Sequence, residues 1–456
     1  MNDVLSSPAT SLARAIVDGD LSVRQVVEAH LARLDEIEEL NAVVTRCDDR
    51  ALREADAADQ RLRDGDAVGP LHGLPFTVKD AFETEGVRTT AASPALSDHV
   101  PERDATVVRR LRDAGAILIG KTNTAELTLR YETDNALFGQ TWNPHGSGLS
   151  PGGSSGGSAA VVAAEGAAFD VGTDTGGSVR LPAHFCGIVG LKPTQGRVPL
   201  TGLRPSGTPI ALLTQPGPLT RTVADAKLLL EVIQGPDGSD PLCLPLQTTD
   251  GRVDVAGLRV GVVSHGALPT PTDAVAAACE AAADGLRNAG YEVASTRPGP
   301  MEEAGRLFVR FFMADGGAWL RRLAARLGAP DSPVAPPAPE EPPPASDWSE
   351  HLESWLAFRT RMQALLDDHD LLLLPVHPEP ARPPYELERP DRLRGYGYAV
   401  AFNLTGWPAI VVPAGATDDG LPVAVQLVAA SGREDLLLAA AAAIADAAST
   451  SVPRPR

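Results

Sequence analysis

Leu74-Pro75-Phe76-Thr77-Val78 and Ala116-Ile117-Leu118-Ile119 are two short apolar runs that bracket a helical segment near Ala105–Ala114. Runs of this length and character read as buried strands, and their alternation with a helix places the chain in the α/β class. Upstream, residues 1–65 read as helices. Ser22-Val23-Arg24-Gln25 is a capping box, and Val23, Val26, Val27, Leu31, Leu34 and Ile37 follow at helical spacing. A second, more polar helix is expected over Asp49–Arg63. Downstream, residues 143–158 (NPHGSGLSPGGSSGGS) form a Gly/Ser-rich loop running into a small-residue helix, Ala159–Ala164. Phe169-Asp170-Val171 is a short strand, and a second glycine cluster, GTDTGGSVR, begins at Gly172.

The alternation continues. Leu258–Val263, Tyr291–Ser295, Leu371–Leu374, Ala409–Val412 and Val423–Val428 are strand candidates. Helices are expected over Asp273–Asn288, 301–327, 349–368 and Arg433–Ala448. Residues 329–348 hold eight prolines and read as a surface polyproline loop. Apolar segments flank both glycine clusters closely, so neither is a linker, and one large domain over 1–456 is expected.

Composition narrows the function. The chain has 456 residues and a formal charge of −19, a balance that repels nucleic-acid phosphate and anionic membranes. Neither partner is expected. The four cysteines (Cys47, Cys186, Cys243 and Cys279) form no CxxC pair, which fits a reducing cytoplasm. The first twenty residues lack the basic and apolar regions of a secretory signal, and no apolar run is long enough to span a membrane. Of 40 basic residues, only Lys79, Lys121, Lys192 and Lys227 are lysines. Arginine keeps its proton, whereas a buried lysine can be neutral and act as a base.

Two motif matches fail on context. Gly115-Ala-Ile-Leu-Ile-Gly120-Lys121-Thr122 fits a phosphate-binding P-loop in letters, but its middle four residues are strand formers. Gly153-Ser154-Ser155-Gly156-Gly157 fits a nucleophile elbow, but follows a polar stretch rather than a strand. The nine histidines show no ligand spacing, and no metal or organic cofactor is expected. His72 and His184 are the weak candidates for a histidine base. The cluster Gly172-Thr173-Asp174-Thr175-Gly176-Gly177-Ser178 has the makings of an anion cradle of backbone N–H groups, with Ser178 placed to attack a carbonyl held there. An ordinary turn into a helix, with Ser178 as its N-cap, reads equally well from these residues alone.

The run SPGGSSGGS (150–158), then GTDTGGSVR ending at Arg180, then Pro182 and CGIVGLKPTQGR (186–197), resembles the amidase signature family. The two key serines stand 24 residues apart (154 to 178), the family's spacing. GPLHGLPFTVKD (69–80), AGAILIGKTNTAE (114–126) and the C-terminal stretches LLLLPV, NLTGWPAIVVPAG and VAVQLVA resemble the family too. The signature core lies within 69–230. The resemblance implies a single α/β/α domain around a mixed sheet, and amide hydrolysis by a Ser–Ser–Lys triad through an acyl-enzyme. By position, Ser178 would be the nucleophile, Ser154 the bridging serine and Lys79 the base. The oxyanion donors would be the backbone of Thr175, Gly176, Gly177 and Ser178, with Ser155, Asp174 and Arg180 in support. A cis peptide between Gly153 and Ser154 is also implied.

The expected partner is a small-molecule amide, with a homodimer left open. The main alternative within the family is the glutamyl-tRNA amidotransferase A subunit, which hydrolyses glutamine for a partner; outside it, a non-catalytic binding subunit. The stretch Glu126-Leu-Thr-Leu-Arg-Tyr-Glu-Thr-Asp-Asn135 looks more like stand-alone amidases. Phe308, Phe311, Phe312, Trp319, Trp355, Tyr396 and Tyr398 are candidate pocket linings, for a neutral and fairly apolar acyl group.

Overall fold

The computed structural model describes residues 2–246, 253–263, 265–266 and 268–448. Its centre is one mixed sheet of eleven strands: β1 (Val43–Arg46), β2 (Pro75–Lys79), β3 (Ile117–Thr122), β4 (Phe169–Asp174), β5 (Val189–Lys192), β6 (Gln215–Thr220), β7 (Arg259–Val263), β8 (Glu292–Thr296), β9 (Leu371–Pro375), β10 (Ala409–Ala416) and β11 (Pro422–Ala429). Their order across the sheet is β1-β3-β2-β4-β6-β5-β10-β11-β9-β7-β8. β3, β2 and β4 run parallel, as do β9, β7 and β8, and the strands between them are antiparallel. Every residue of β2, β3, β4, β9 and β11 is buried. That is why these strands read as unbroken apolar runs rather than alternating ones.

The helices cover the sheet. The helix Val23–Glu36 starts at the expected capping box, with Ser22 Oγ accepting from the Gln25 N–H at 3.1 Å and Gln25 returning the bond to the Ser22 N–H at 2.9 Å. Asp273–Asn288 and Glu434–Ala448 pack on each other and on β10 and β11. Gly156–Ala163 and Arg180–Cys186 pack together, the first against β4 and the second against β5 and β11. This is the single-domain α/β architecture that the sequence led us to expect.

Several local expectations are corrected. The helix after the first glycine cluster begins at Gly156, so its Gly-Gly-Ser belongs to the first turn and not to the loop. The helix after the second cluster spans Arg180–Cys186 with no side-chain cap, so Ser178 is not its N-cap. The stretch 301–327 is two helices, Ala304–Met313 and Ala318–Arg326, broken where Gly316 and Gly317 take φ of 65° and 73°. Strands β1, β5 and β6 are not foreseen by the sequence. β6 (QPGPLT) carries two prolines in mid-sheet, which is tolerated because β5 reaches only its last two residues, Leu219 and Thr220. The proline-rich loop is not wholly superficial. Val334 packs on the cluster of Trp319, Leu320 and Leu323, and the Arg321 guanidinium donates to the carbonyls of Gly316, Pro336 and Pro337.

Candidate active site

β2 and β4 are parallel neighbours in register, Phe76 opposite Phe169 with their rings stacked 5.5 Å apart. Their C-terminal ends therefore open on the same edge of the sheet, the edge where α/β proteins build sites. Lys79 is the last residue of β2 and Asp174 the last of β4. The remaining site residues come from the loop before Gly156 and the turn after Asp174.

Lys79 is fully buried, and its Nζ donates to three hydroxyls: Ser154 Oγ at 2.7 Å, Ser155 Oγ at 2.9 Å and Thr173 Oγ1 at 2.9 Å. Among the described residues, no carboxylate forms an ion pair with it. Burial lowers its pKa to about 7, and the more distant charges of Asp174 and Asp170 only partly oppose the shift. Ser155 is held in turn by β4, donating to the Thr173 carbonyl at 3.2 Å and accepting from the Thr173 N–H at 3.3 Å. The Ser155 N–H donates to the Ser178 carbonyl at 3.2 Å, which ties the turn carrying Ser178 to the loop carrying Ser154. The Gly153–Ser154 peptide is cis.

The turn after β4 is shaped by Asp174. Its carboxylate forms a two-point pair with Arg180, Nε and Nη2 each at 3.0 Å, and accepts from the backbone N–H groups of Gly177, Val179 and Arg180 and from the Asn403 amide. Burial works to raise this carboxyl, but the Arg180 charge and hydrogen bonds, with the Asn403 amide, hold it well below the usual range. Arg180 is equally committed, donating also to Ala399 O, Gln426 Oε1 and Asn403 Oδ1. Gly177 has φ of 115°, and a Cβ there would stand 2.9 Å from Ala399 Cβ and from Leu181 Cδ1, so only glycine fits.

One expectation changes here. The Gly177 N–H donates to Asp174 Oδ1 at 2.8 Å and is not free for an oxyanion. Among the described residues, the N–H groups of Thr175, Gly176 and Ser178 are left without a partner. Thr175 pairs its hydroxyl with Thr214 at 2.7 Å.

Neither histidine candidate joins this cluster. The His184 Nε2 bonds Glu379 O at 3.1 Å and its Nδ1 accepts from the Ala424 N–H at 3.0 Å, so neither ring nitrogen is left for a serine. His72 bonds Ala58 O at 3.2 Å, on the carbonyl of a surface helix. Lys121 is buried on β3, but in its own pocket of Phe82 O, Thr84 and Thr89.

The aromatic candidates separate. Phe311, Trp355 and Tyr398 are core: Trp355 Nε1 donates to Leu404 O at 2.8 Å and Tyr398 Oη to Pro269 O at 2.9 Å. Phe312 and Trp319 pack on each other, 5.8 Å apart. Phe308 does reach the site. A Cβ on Gly176 would lie 2.7 Å from Phe308 Cζ and 2.9 Å from the Tyr131 hydroxyl. Tyr131 stacks on Tyr396 with ring centroids 3.8 Å apart. Tyr131 was missed as a site residue, although it lies in the very stretch, Glu126–Asn135, whose letters argued for a stand-alone amidase. The aromatic residue there was the available signal.

The segment around Tyr131 also braces the Ser154 loop. Thr133 Oγ1 donates to Gly152 O at 2.8 Å and accepts from the Gly156 N–H at 2.9 Å. A Cβ on Gly153 would meet the carbonyl carbons of Tyr131 and Glu132 at 2.7 and 2.8 Å, so this contact requires glycine.

The chain is similar to known proteins over most of its length. The family model described as Amidase matches residues 25–438. The chain is 35% identical to an indoleacetamide hydrolase of Bradyrhizobium diazoefficiens, over 96% of this chain and 85% of the relative. It is 32% identical to a glutamyl-tRNA(Gln) amidotransferase A subunit from Clostridium acetobutylicum, over 97% and 99%. Among solved structures, 6-aminohexanoate cyclic dimer hydrolase superposes with a TM-score of 0.88 at 28% identity, covering 100% of this chain and 99% of the other. The peptide amidase of Stenotrophomonas maltophilia does so with a TM-score of 0.83 at 28% identity, covering 99% and 98%. The chain belongs to the amidase signature family of amide hydrolases.

Proposed function

We propose that this enzyme hydrolyses an uncharged carboxylic acid amide with a flat, apolar acyl group, through an acyl-enzyme on Ser178, with Ser154 and Lys79 relaying the proton. The observation that carries the reading is the Lys79 amine position: buried, hydrogen-bonded to three hydroxyls, and with a pKa brought down to about 7. A base must give up its proton near the working pH, and this environment favours the neutral amine.

In the proposed sequence, the substrate carbonyl oxygen lies against the N–H groups of Gly176 and Ser178, with that of Thr175 beside them. Ser178 Oγ attacks the carbonyl carbon, its proton passes to Ser154, and the Ser154 proton passes to Lys79. Charge building on the oxygen is met by donors already in place. The proton returns through Ser154 to the departing nitrogen as the C–N bond breaks. Water then attacks the ester by the same relay and releases the acid. Asp174 and Arg180 keep the turn in shape without touching the reacting atoms, and Ser155 holds both Lys79 and the Ser178 carbonyl.

Two features favour an uncharged, flat acyl group. Phe308 and Tyr131 converge over Gly176, backed by Tyr396. The basic side chains Lys79 and Arg180 are both committed to groups of the protein, which leaves them unavailable to a substrate carboxylate such as that of glutamine. The indoleacetamide hydrolase relative is named for a substrate of this kind. The four free, buried cysteines suit a reducing compartment, and the proposal places the enzyme in the cytoplasm.

The test is an ammonia-release screen of the purified chain alone on phenylacetamide, indole-3-acetamide, benzamide, propionamide and glutamine. Turnover should be highest on the aryl and arylacetyl amides and should vanish in Ser178→Ala. Glutamine turnover appearing only with added partner proteins would overturn the reading in favour of an amidotransferase component.

A further inference from the structure

The segment Tyr131-Glu132-Thr133 carries a buried acid that the mechanism above does not use. The Glu132 residue is 3% exposed. Its Oε2 accepts from Ser150 Oγ, and its Oε1 accepts from the Tyr385 N–H at 3.1 Å. Ser150 Oγ in turn accepts from the Gly152 N–H at 2.9 Å. Gly152 leads into Gly153 and Ser154, and Gly153 rests on the backbone of Tyr131 and Glu132. A chain of two hydrogen bonds thus runs from the Glu132 carboxylate to the loop that carries Ser154. The other arm of Glu132 holds the segment that also supplies Arg382 O, the acceptor for the Ser150 N–H at 2.8 Å.

Each carboxylate oxygen faces a donor. A proton on Oε1 would meet the Tyr385 N–H, and a proton on Oε2 would meet the Ser150 hydroxyl. The first breaks the bond to Tyr385; the second reverses the bond to Ser150, whose hydroxyl must then accept and turn its own proton away from Glu132. The bond to Ser150 is of the charge-assisted kind, which weakens on protonation.

We propose that Glu132 is a positioning residue for the amide hydrolysis, whose ionised carboxylate, acting through Ser150 and the Gly152 N–H, holds Ser154 in line between Lys79 and Ser178. The proposal rests on the Ser–Ser–Lys reading. It adds a second proton to the acid side of the pH profile, since Lys79 must be neutral and Glu132 ionised at once. Burial, its leading influence, pushes the Glu132 carboxyl up to about 7, against the lowering effect of the bonds from Ser150 and the Tyr385 N–H. Of the charged groups around it, Glu388 raises it further and Arg130 lowers it, the two being paired at 3.2 Å. Tyr385, whose hydroxyl donates to Asp134, and Tyr396 are the phenols facing it, and both stay protonated here, with pKa values raised by burial.

The experiment measures the second-order rate of Ser178 labelling by a fluorophosphonate between about pH 5 and 9, which needs no knowledge of the natural substrate. In the wild type, two required ionisations should make the rate fall about 100-fold per pH unit on the acid side; in Glu132→Gln, one should remain and the fall should be roughly tenfold per unit. Ser150→Ala cuts the same connection without touching the acid and should also show the shallower limb. Circular dichroism at each pH checks that both variants stay folded. An acid limb of one proton in the wild type, or an unchanged two-proton limb in both variants, overturns the proposal. Failure of the underlying triad reads differently: Lys79→Arg would then label at the wild-type rate.

Discussion

Lys79 and Lys121 sit on adjacent parallel strands, both fully buried, and differ in what surrounds the amine. Around Lys79 Nζ there are three hydroxyls, each able to donate as well as accept. Around Lys121 Nζ there are two hydroxyls, from Thr84 and Thr89 at 2.9 Å, the Phe82 carbonyl, and the Asp80 carboxylate at 4.0 Å. A carbonyl can only accept, and a carboxylate favours the cation. Burial dominates both lysines and lowers both, to about 7 for Lys79 and about 8 for Lys121, so their neighbours and not their burial tell them apart. The contrast teaches that burial alone does not make a base: the amine must also have neighbours that remain satisfied once it is neutral. By this account Lys79 is chemistry and Lys121 is structure.

The largest effect that could break the comparison is on catalysis. Lys79→Arg and Lys79→Ala should each lower amide turnover by at least about 1000-fold, because neither side chain can take the proton; an arginine variant with substantial activity would make Lys79 a mere positive charge. Next comes stability. Lys121→Met leaves the Phe82 carbonyl and Asp80 without their cation, and should cost about 3–5 kcal/mol in urea unfolding, while the folded fraction keeps turnover within a few-fold of the wild type. Smaller again is Ser155→Ala. It removes one of three hydroxyls on Lys79 and should lower turnover by up to about tenfold, the order expected for one hydrogen bond. At the bottom is Lys227, exposed on a helix and 4.0 Å from Glu231. Lys227→Met should change neither turnover nor unfolding measurably, as exposed pairs contribute little.

The pH dependence sharpens the same contrast. Lys79 works as the neutral amine, so the rate should rise with pH through about 7 and level off above it. The Lys121→Met variant, its fold verified, should keep that profile unchanged.

How much of this was legible in the letters follows from the physics of each part. Buried strands such as β2, β3 and β9 are unbroken apolar runs and read directly. β6 was hidden because two prolines argue against a central strand, and only the short reach of β5 makes them tolerable. The candidate residues Lys79, Ser154, Ser155, Asp174, Ser178 and Arg180 were named through the resemblance to the amidase signature family, and hydrogen bonds link Lys79 to Ser154 and Ser155, Ser155 to the Ser178 carbonyl, and Asp174 to Arg180. The glycines alone could not say which N–H groups stay free. That depends on Asp174 turning back on the Gly177 N–H, a tertiary detail with no sequence period. Glu132 was passed over for a similar reason: its partners, Tyr385 and Ser150, lie far along the chain or across a loop, where local pattern carries no information.

Because the chain holds only four lysines, a titration of 15N-labelled lysine side chains by NMR tests the central claim directly. One Nζ resonance, absent from Lys79→Arg, should pass from ammonium to amine with a midpoint near 7 and be neutral above about pH 8. A Lys79 signal that is still ammonium at about pH 9, in an enzyme fully active at that pH, would contradict the assignment of Lys79 as the base.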